Sequence, residues 1–113
     1  MHTVAQHFER TEPQIHAVYD KIVKAARACG PVVEDPKKTS IHLTRRTAFA
    51  GVATRKTALV LTLKSASDIK SPRVTKREQA SANRWHLEVR LTDPKQVDKQ
   101  IATWLERAIE ISQ

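Results

Sequence analysis

Two segments of the chain repeat apolar residues at the spacing of an amphipathic helix. The first begins near Thr11 and Gln14, which have the spacing of a capping box, and ends at Gly30-Pro31. The second follows Thr92-Asp93-Pro94. Their apolar positions are Ile15, Val18, Tyr19, Ile22, Val23, Ala26 and Cys29 in the first, and Val97, Ile101, Trp104, Leu105, Ala108 and Ile109 in the second. Each helix therefore has one apolar face, which must pack on another element.

The middle of the chain alternates apolar and polar residues, which is the period of a β-strand. Four strands are predicted, at residues 40–44, 49–53, 59–64 and 85–91. Residues 74–80 are a candidate fifth strand, which turns at 81–83 into the last of the four. Short connections favour antiparallel hairpins. The apolar positions are Ile41, Leu43, Leu59, Leu61, Leu63, Trp85, Leu87, Val89 and Leu91.

These elements predict an α+β fold in a single domain over residues 1–113. We expect a two-layer sandwich, with an antiparallel sheet of four to five strands and an N-terminal and a C-terminal helix packed on one face. A chain of 113 residues has room for one hydrophobic core. The other face of the sheet is then open to solvent, as is common in antiparallel sheets.

Lysine and arginine are concentrated in the middle third of the chain. Residues 37–77, called here the basic segment, contain eleven Lys/Arg and one acid, a net charge of +10. The remaining residues contain nine Lys/Arg and eleven Asp/Glu, so the basic segment supplies all of the chain's net charge of +8. Such a segment indicates an anionic partner. The competing interpretation is a solvated face whose charge keeps the domain soluble.

Candidate ligand-binding side chains come from polar strand positions that would face away from the helices. They are Lys38, His42, Arg46, His86 and Arg90. Further cations would form a basic rim around them, at Lys37, Arg45, Arg55, Lys56, Arg73, Lys76 and Arg77. Arginine offers phosphate or carboxylate a planar fork, and lysine offers a point charge. The alternative for the two histidines is a structural role, as outward polar positions or hydrogen-bonded side chains.

The sequence favours a binding module over an enzyme. Its only glycines are Gly30 and Gly51, so there is no Gly-rich phosphate loop, and there is no nucleophile elbow. His42, His86 and Glu88 share a predicted sheet face, but their spacing is not a recognised ligand motif. We expect no catalytic residue, no cofactor and no structural metal site.

The single cysteine, Cys29, rules out an intrachain disulfide and favours a reducing compartment. No apolar run approaches the length of a membrane span, and the N-terminus lacks the features of a signal peptide. We therefore expect a cytoplasmic protein that does not associate with membranes. An open sheet face or edge would also suit a homodimer, which usually has two-fold symmetry.

Short sequence words along nearly the whole chain match those of a known family. They are His7-Phe8, Gly30-Pro31-Val32, residues 37–43, 48–52, 68–76, 84–86 and 89–91, and the most specific is Lys-Lys-Thr-Ser-Ile-His-Leu at 37–43. In these words the chain resembles the domain of unknown function 5655 family, an uncharacterised bacterial family with some members labelled "predicted transport protein". The resemblance implies no catalytic residue, cofactor or substrate. Without a membrane segment the transport label has no support here.

The sequence as a whole predicts a small basic binding module with an anionic partner. The nucleic-acid backbone is the favoured partner, because Lys and Arg neutralise phosphates and release counterions. No helix-turn-helix, zinc-finger or RNP word is present, so binding would be directed at the backbone. The alternatives are a pocket for a small anionic ligand on the open sheet face and a homodimeric protein-interaction module.

Overall fold

The computed structural model describes residues 2–112 and contains three α-helices and one six-stranded sheet. The helices are α1 (Val4–His7), α2 (Pro13–Arg27) and α3 (Lys99–Ile111), with a 3-10 turn at Pro94–Gln96 before α3. The strands are β1 (Val33–Pro36), β2 (Ile41–Thr44), β3 (Ala48–Thr54), β4 (Leu59–Ser65), β5 (Val74–Ser81) and β6 (Arg84–Leu91). The predicted α+β class is confirmed. The strand number is corrected to six, since β1 was not predicted, and α1 is an additional helix.

The strands lie in the order β1-β2-β3-β4-β6-β5, and every neighbouring pair is antiparallel. Because β1 to β4 are consecutive hairpins, their turns alternate between the two ends of the sheet. The β1–β2 turn and the β3–β4 turn therefore lie at one end, and the β2–β3 turn lies at the other. This alternation decides which cations of the basic segment can meet.

The connection from β4 to β5 is not a hairpin. Since β6 pairs with both β4 and β5, the chain returns along the sheet through residues 66–73 before β5 begins. Ile69 packs against the hydrophobic core, so this connection runs on the face covered by the helices. Two ion pairs hold it, from Arg77 Nε to Asp68 Oδ1 at 2.8 Å and from Arg73 Nη1 to Asp98 Oδ1 at 3.0 Å.

The core lies between the sheet and the two long helices, and the predicted strand faces are confirmed. Leu43, Leu61 and Leu87 are at most 1% exposed, whereas Trp85, at the sheet end, is only half-buried. Phe49 is the extra residue of a bulge, because Leu43 pairs with Ala50 and Thr44 pairs with Ala48. The bulge places Phe49 in the core beside Ala50.

The start of α2 differs from the prediction. Glu12 is the N-cap residue, and no side chain caps the helix. The predicted capping box is wrong because its two residues have other partners: Thr11 Oγ1 donates to the Phe8 carbonyl at 3.0 Å, and Gln14 Nε2 donates to Glu12 Oε2 at 2.9 Å. Within residues 2–112, no helix is long and apolar enough to cross a membrane.

Candidate anion-binding groove and open sheet face

Five of the eleven cations in the basic segment form ion pairs with carboxylates among the described residues. The pairs are Lys37–Asp35 at 2.9 Å, Lys70–Asp68 at 2.6 Å, Arg73–Asp98 at 3.0 Å, Lys76–Glu88 at 4.0 Å and Arg77–Asp68 at 2.8 Å. Three of these acids, Asp35, Glu88 and Asp98, come from outside the segment. The positive charge of the basic segment is therefore partly neutralised in the folded chain by acids from other segments.

Four other cations line one groove, which we call the basic groove. Lys38 comes from the β1–β2 turn, Arg55 and Lys56 come from the β3–β4 turn, and Arg10 comes from the segment between α1 and α2. The groove has a volume of about 710 Å³, and Glu9 is the one acid along it in the part of the chain that the structure describes. In the described part of the chain no carboxylate lies within 4.0 Å of these four cations.

Each of the two turns of the basic groove is closed by a backbone hydrogen bond. The Lys37 N–H donates to the Ser40 carbonyl at 2.7 Å, and the Arg55 N–H donates to the Ala58 carbonyl at 2.8 Å. The N-terminal segment joins the turns. His7 accepts at its carbonyl from Thr54 Oγ1 at 2.7 Å, and the Glu12 N–H donates to the Lys56 carbonyl at 2.8 Å.

The ring of His7 adds a third link between the N-terminal segment and the turns. Its Nε2 lies 2.8 Å from the Lys37 carbonyl oxygen. A carbonyl oxygen only accepts, so Nε2 carries the proton of this hydrogen bond. α1 itself is closed by a capping box between Thr3 and Gln6. The groove is thus built by three chain segments that hydrogen bonds join to one another.

The five candidate ligand-binding residues occupy three different places. Lys38 lies in the basic groove, while His42 and His86 line a depression on the open sheet face. Arg46 is exposed in the β2–β3 turn, at the opposite end of the sheet from Lys38. Arg90 is exposed on the open face of β6, where it pairs with Val60. The structure therefore brings only the two histidines into one cavity.

The candidate rim residues are also spread around the molecule. Arg55 and Lys56 belong to the basic groove, whereas Lys37, Arg73, Lys76 and Arg77 are ion-paired. Arg45 comes from the β2–β3 turn, and its side chain reaches the C-terminal end of α2. There its Nη1 donates to the Cys29 carbonyl at 3.3 Å. This position is favourable because a cation there interacts with the negative end of the helix dipole.

The open-face depression has a volume of about 410 Å³. Its floor is β3, with Ala48, Gly51 and Ala53 among the lining residues. The polar residues around it are Ser40 just before β2, His42 on β2, Thr62 and Lys64 on β4, and His86 on β6. Because β3 has β2 and β4 as its neighbours, the side chains of those two strands form the walls.

The histidines and Glu88 do not form a metal site. His42 pairs with Gly51, Gly51 with Thr62, and Thr62 with Glu88, which places three inter-strand spacings between His42 and Glu88. That distance is about 14 Å between backbones, too far for two ligands of one ion. Among residues 2–112 no three His, Cys, Asp or Glu side chains are grouped as metal ligands.

Two carboxyl groups that pair with cations of the basic segment, Asp68 within it and Asp98 outside it, have lowered pKa values. The hydrogen bond from Arg73 is the largest cause for Asp98, and the hydrogen bond from Lys70 is the largest for Asp68, which Arg77 also contacts. Both carboxylates are therefore stabilised in their charged form. The cations that face them are paired with carboxylates, which separates them from the unpaired cations of the basic groove.

Residues 4–112 match the model of the family described as Domain of unknown function (DUF5655). The chain belongs to this family. The match runs from α1 to the end of α3, so the whole fold described above is that of a DUF5655 domain. No curated protein and no solved structure matches the chain. The resemblance found in the sequence is thereby confirmed, and the DUF5655 description carries no activity with it.

Sequence reasoning missed Arg10 as a member of the basic groove. It lies outside the basic segment, and nothing in its local sequence joins it to the two turns. The alternation of hairpin turns in a four-strand meander was the available signal for grouping Lys38 with Arg55 and Lys56. The predicted strands at residues 40–44, 49–53 and 59–64 already carried that signal, because the start of the first and the end of the second share one end of an antiparallel meander.

Proposed function

We propose that this DUF5655 domain binds an anionic partner through the basic groove, and that the partner is the phosphate backbone of a nucleic acid. The observation that supports the proposal is the row of Arg10, Lys38, Arg55 and Lys56 along one groove, without carboxylate partners among the described residues. Cations arranged in this way neutralise phosphates and release the counterions bound to them.

The lining of the groove favours contacts to the backbone over contacts to bases. No Phe, Tyr or Trp lines it, so it offers no stacking platform for an unpaired base. Besides its cations, it presents short polar side chains such as Gln6 and Thr39, which suit phosphate oxygens. Recognition would then be independent of base sequence. We place this function in the cytoplasm, in keeping with a single free cysteine.

The test measures the affinity of the full chain for a mixed-sequence duplex and for a single strand over a range of salt concentrations. For duplex DNA we expect the logarithm of the binding constant to fall with the logarithm of salt by about 0.9 per phosphate contact. Lys38→Ala, Arg55→Ala and Lys56→Ala should each flatten the slope by about one unit, because each removes one phosphate contact.

The matched controls remove the same charge at other places. Lys37→Ala removes an ammonium group that pairs with Asp35, and Lys21→Ala removes an exposed cation from α2. Both should leave the slope nearly unchanged. If all five variants flatten the slope equally, binding depends on net charge and the groove has no special part in it. If the wild-type protein binds neither nucleic acid at low salt, the proposal is wrong.

A further inference from the structure

Neither the backbone conformation nor the packing of the described residues requires a glycine at position 51. It lies in the middle of β3, and among the described residues only Gly30 has a positive φ. A Cβ atom built on Gly51 would meet no other atom within 4 Å. A glycine inside a strand costs about 0.5–1 kcal/mol relative to alanine. Such a position is typical where a ligand or another backbone approaches closely.

Polar side chains surround this glycine on the open sheet face. Gly51 pairs with His42 on one side and with Thr62 on the other. Because Gly51 has no side chain, these two side chains flank its bare backbone. Lys64 and His86 are direct cross-strand partners at one end of the depression. The open-face depression therefore combines an apolar floor with a lysine and two imidazoles at its edges.

The charges along the depression are complementary to an anion. Among residues 2–112, Lys64 is the one permanent cation in its lining and no carboxylate lines it. Two acids lie on the neighbouring strands: Glu88 Oε2 is 4.0 Å from Lys76 Nζ, and Glu78 is the exposed cross-strand partner of His86 on β5. An imidazole donates a hydrogen bond from one ring nitrogen even when it is neutral. Lys64 and His86 can thus bind the two oxygens of one carboxylate.

The shape of the depression favours a flat molecule. Its walls stand on β2 and β4, whose backbones are about 10 Å apart because β3 lies between them. Between these walls the β3 residues that line the floor are small (Ala48, Ala50, Gly51, Val52 and Ala53), so a flat ring can lie against the backbone. The volume of about 410 Å³ falls within the usual range for small-ligand pockets.

We propose that the open-face depression is a binding site for a small planar, mostly apolar molecule that carries one carboxylate. The carboxylate lies at Lys64 and His86, and the ring lies over Gly51. No residue lines both this depression and the basic groove, so the site does not depend on the function proposed above.

The test uses benzoate as the probe, benzamide as its uncharged counterpart and inorganic phosphate as an anion without a ring. Backbone amide resonances of the full chain are followed by NMR during each titration. Benzoate should shift the resonances of Gly51, Thr62 and Lys64 in a saturable way. Benzamide and phosphate should each bind at least tenfold more weakly, because benzamide lacks the carboxylate and phosphate lacks the ring.

Variants separate the ring contact from the charge contact. Gly51→Val fills the floor and should abolish benzoate binding, while its dispersed spectrum shows that the sheet is intact. Lys64→Gln should weaken benzoate roughly tenfold, the usual effect of losing one charge-assisted hydrogen bond, and should leave benzamide unchanged. Lys38→Ala, in the basic groove, is the matched control and should bind benzoate as the wild type does.

Three results would overturn the proposal. The first is benzoate binding that survives Gly51→Val. The second is equal affinity for benzoate and benzamide. The third is the absence of saturable shifts around Gly51, including the case in which benzoate shifts only resonances of the basic groove. Because phosphate and Lys38→Ala report on the groove separately, failure here leaves the nucleic-acid proposal untouched.

Discussion

The hydroxyl group of Tyr19 on α2 donates a 2.6 Å hydrogen bond to Oε1 of Glu34 on β1. Arg27 Nη2 donates to the other carboxylate oxygen, Oε2, at 3.2 Å. Tyr19 is 1% exposed, and its burial, followed by its bond to Glu34, raises the pKa of its hydroxyl. β1 is a four-residue edge strand with an exposed Val33, so polar contacts, more than apolar ones, join it to the helices.

We expect Tyr19→Phe to lower the free energy of unfolding by about 1 kcal/mol, the usual contribution of one hydrogen bond. Phenylalanine keeps the ring packed, so the change removes only the hydroxyl. Urea denaturation measures the effect. The control repeats the substitution in a Glu34→Ala background, where it should cost clearly less. An equal cost in both backgrounds would show that the bond to Glu34 contributes nothing measurable.

The contact between Arg73 and Asp98 predicts a pH-dependent stability. Arg73 lowers the pKa of Asp98, so this contribution is present above the ordinary Asp pKa of about 3.9 and is lost as the pH falls through the lower value of the folded state. Because the Asp98 side chain is half exposed, Arg73→Met should cost at most about 1 kcal/mol at neutral pH through this pair. The cost should shrink in acid.

Denaturation of wild type and Arg73→Met at neutral pH and near pH 3 checks this prediction. Arg73 also donates to the Gln100 side chain at 3.1 Å, a bond that does not titrate, so part of the cost should remain in acid. Lys70→Met is the matched control, since the Lys70 side chain is 85% exposed and its pair with Asp68 should matter little. A cost for Arg73→Met that is the same at both pH values would contradict the argument.

The alternation along β6 predicts opposite outcomes for two neighbouring residues. Leu87 is 1% exposed beneath the helices, and Leu87→Ala should cost about 2–5 kcal/mol. His86 lies on the open face, and His86→Ala should change stability by no more than about 0.5 kcal/mol. Chemical denaturation of the two variants gives the ranking. The reverse ranking would contradict the register described for β6, in which Leu87 faces the core and His86 faces away from it.

The long helices and strands such as β6 could be predicted because each has a strong period in its own sequence. β6 alternates over eight residues, and α2 repeats its buried positions over four turns. β1 could not be predicted, because it has four residues, ends in Pro36 and buries none of its side chains fully. β1 is a strand because it forms an antiparallel pair with β2, and a local stretch of sequence does not show which segment it will pair with.

The candidate site was harder to predict than the fold because charge in sequence does not reveal charge in space. Lys37 and Lys38 are neighbours in the chain, yet one pairs with Asp35 and the other lines the basic groove. The grouping depends on which loops share an end of the sheet and on where each side chain finds a carboxylate, and the second of these is not visible in the local sequence. His42 and His86 did share a face as predicted, since a period of two needs only the strand itself.

The two glycines of the chain should respond to alanine in opposite directions. Gly30 has φ of 134°, which disfavours any side chain, and a Cβ there would lie 2.9 Å from Arg45 Nη2. Gly30→Ala should therefore lower the free energy of unfolding by about 1–3 kcal/mol. Gly51→Ala meets no atom within 4 Å and should raise it by about 0.5–1 kcal/mol, because alanine restricts the unfolded chain more than glycine does.

Thermal and urea denaturation of the two variants measure both signs in one experiment, and Ala53→Gly on the same face of β3 is the matched control. Ala53→Gly should lower the free energy of unfolding by about as much as Gly51→Ala raises it, because it adds the backbone conformational entropy that Gly51→Ala removes from the unfolded chain. If Gly51→Ala is destabilising instead, the chain needs that glycine for its own fold, and a ligand is no longer required to explain it. If it is stabilising, the chain keeps at Gly51 a residue that weakens its own sheet, as expected where a ligand lies against the backbone.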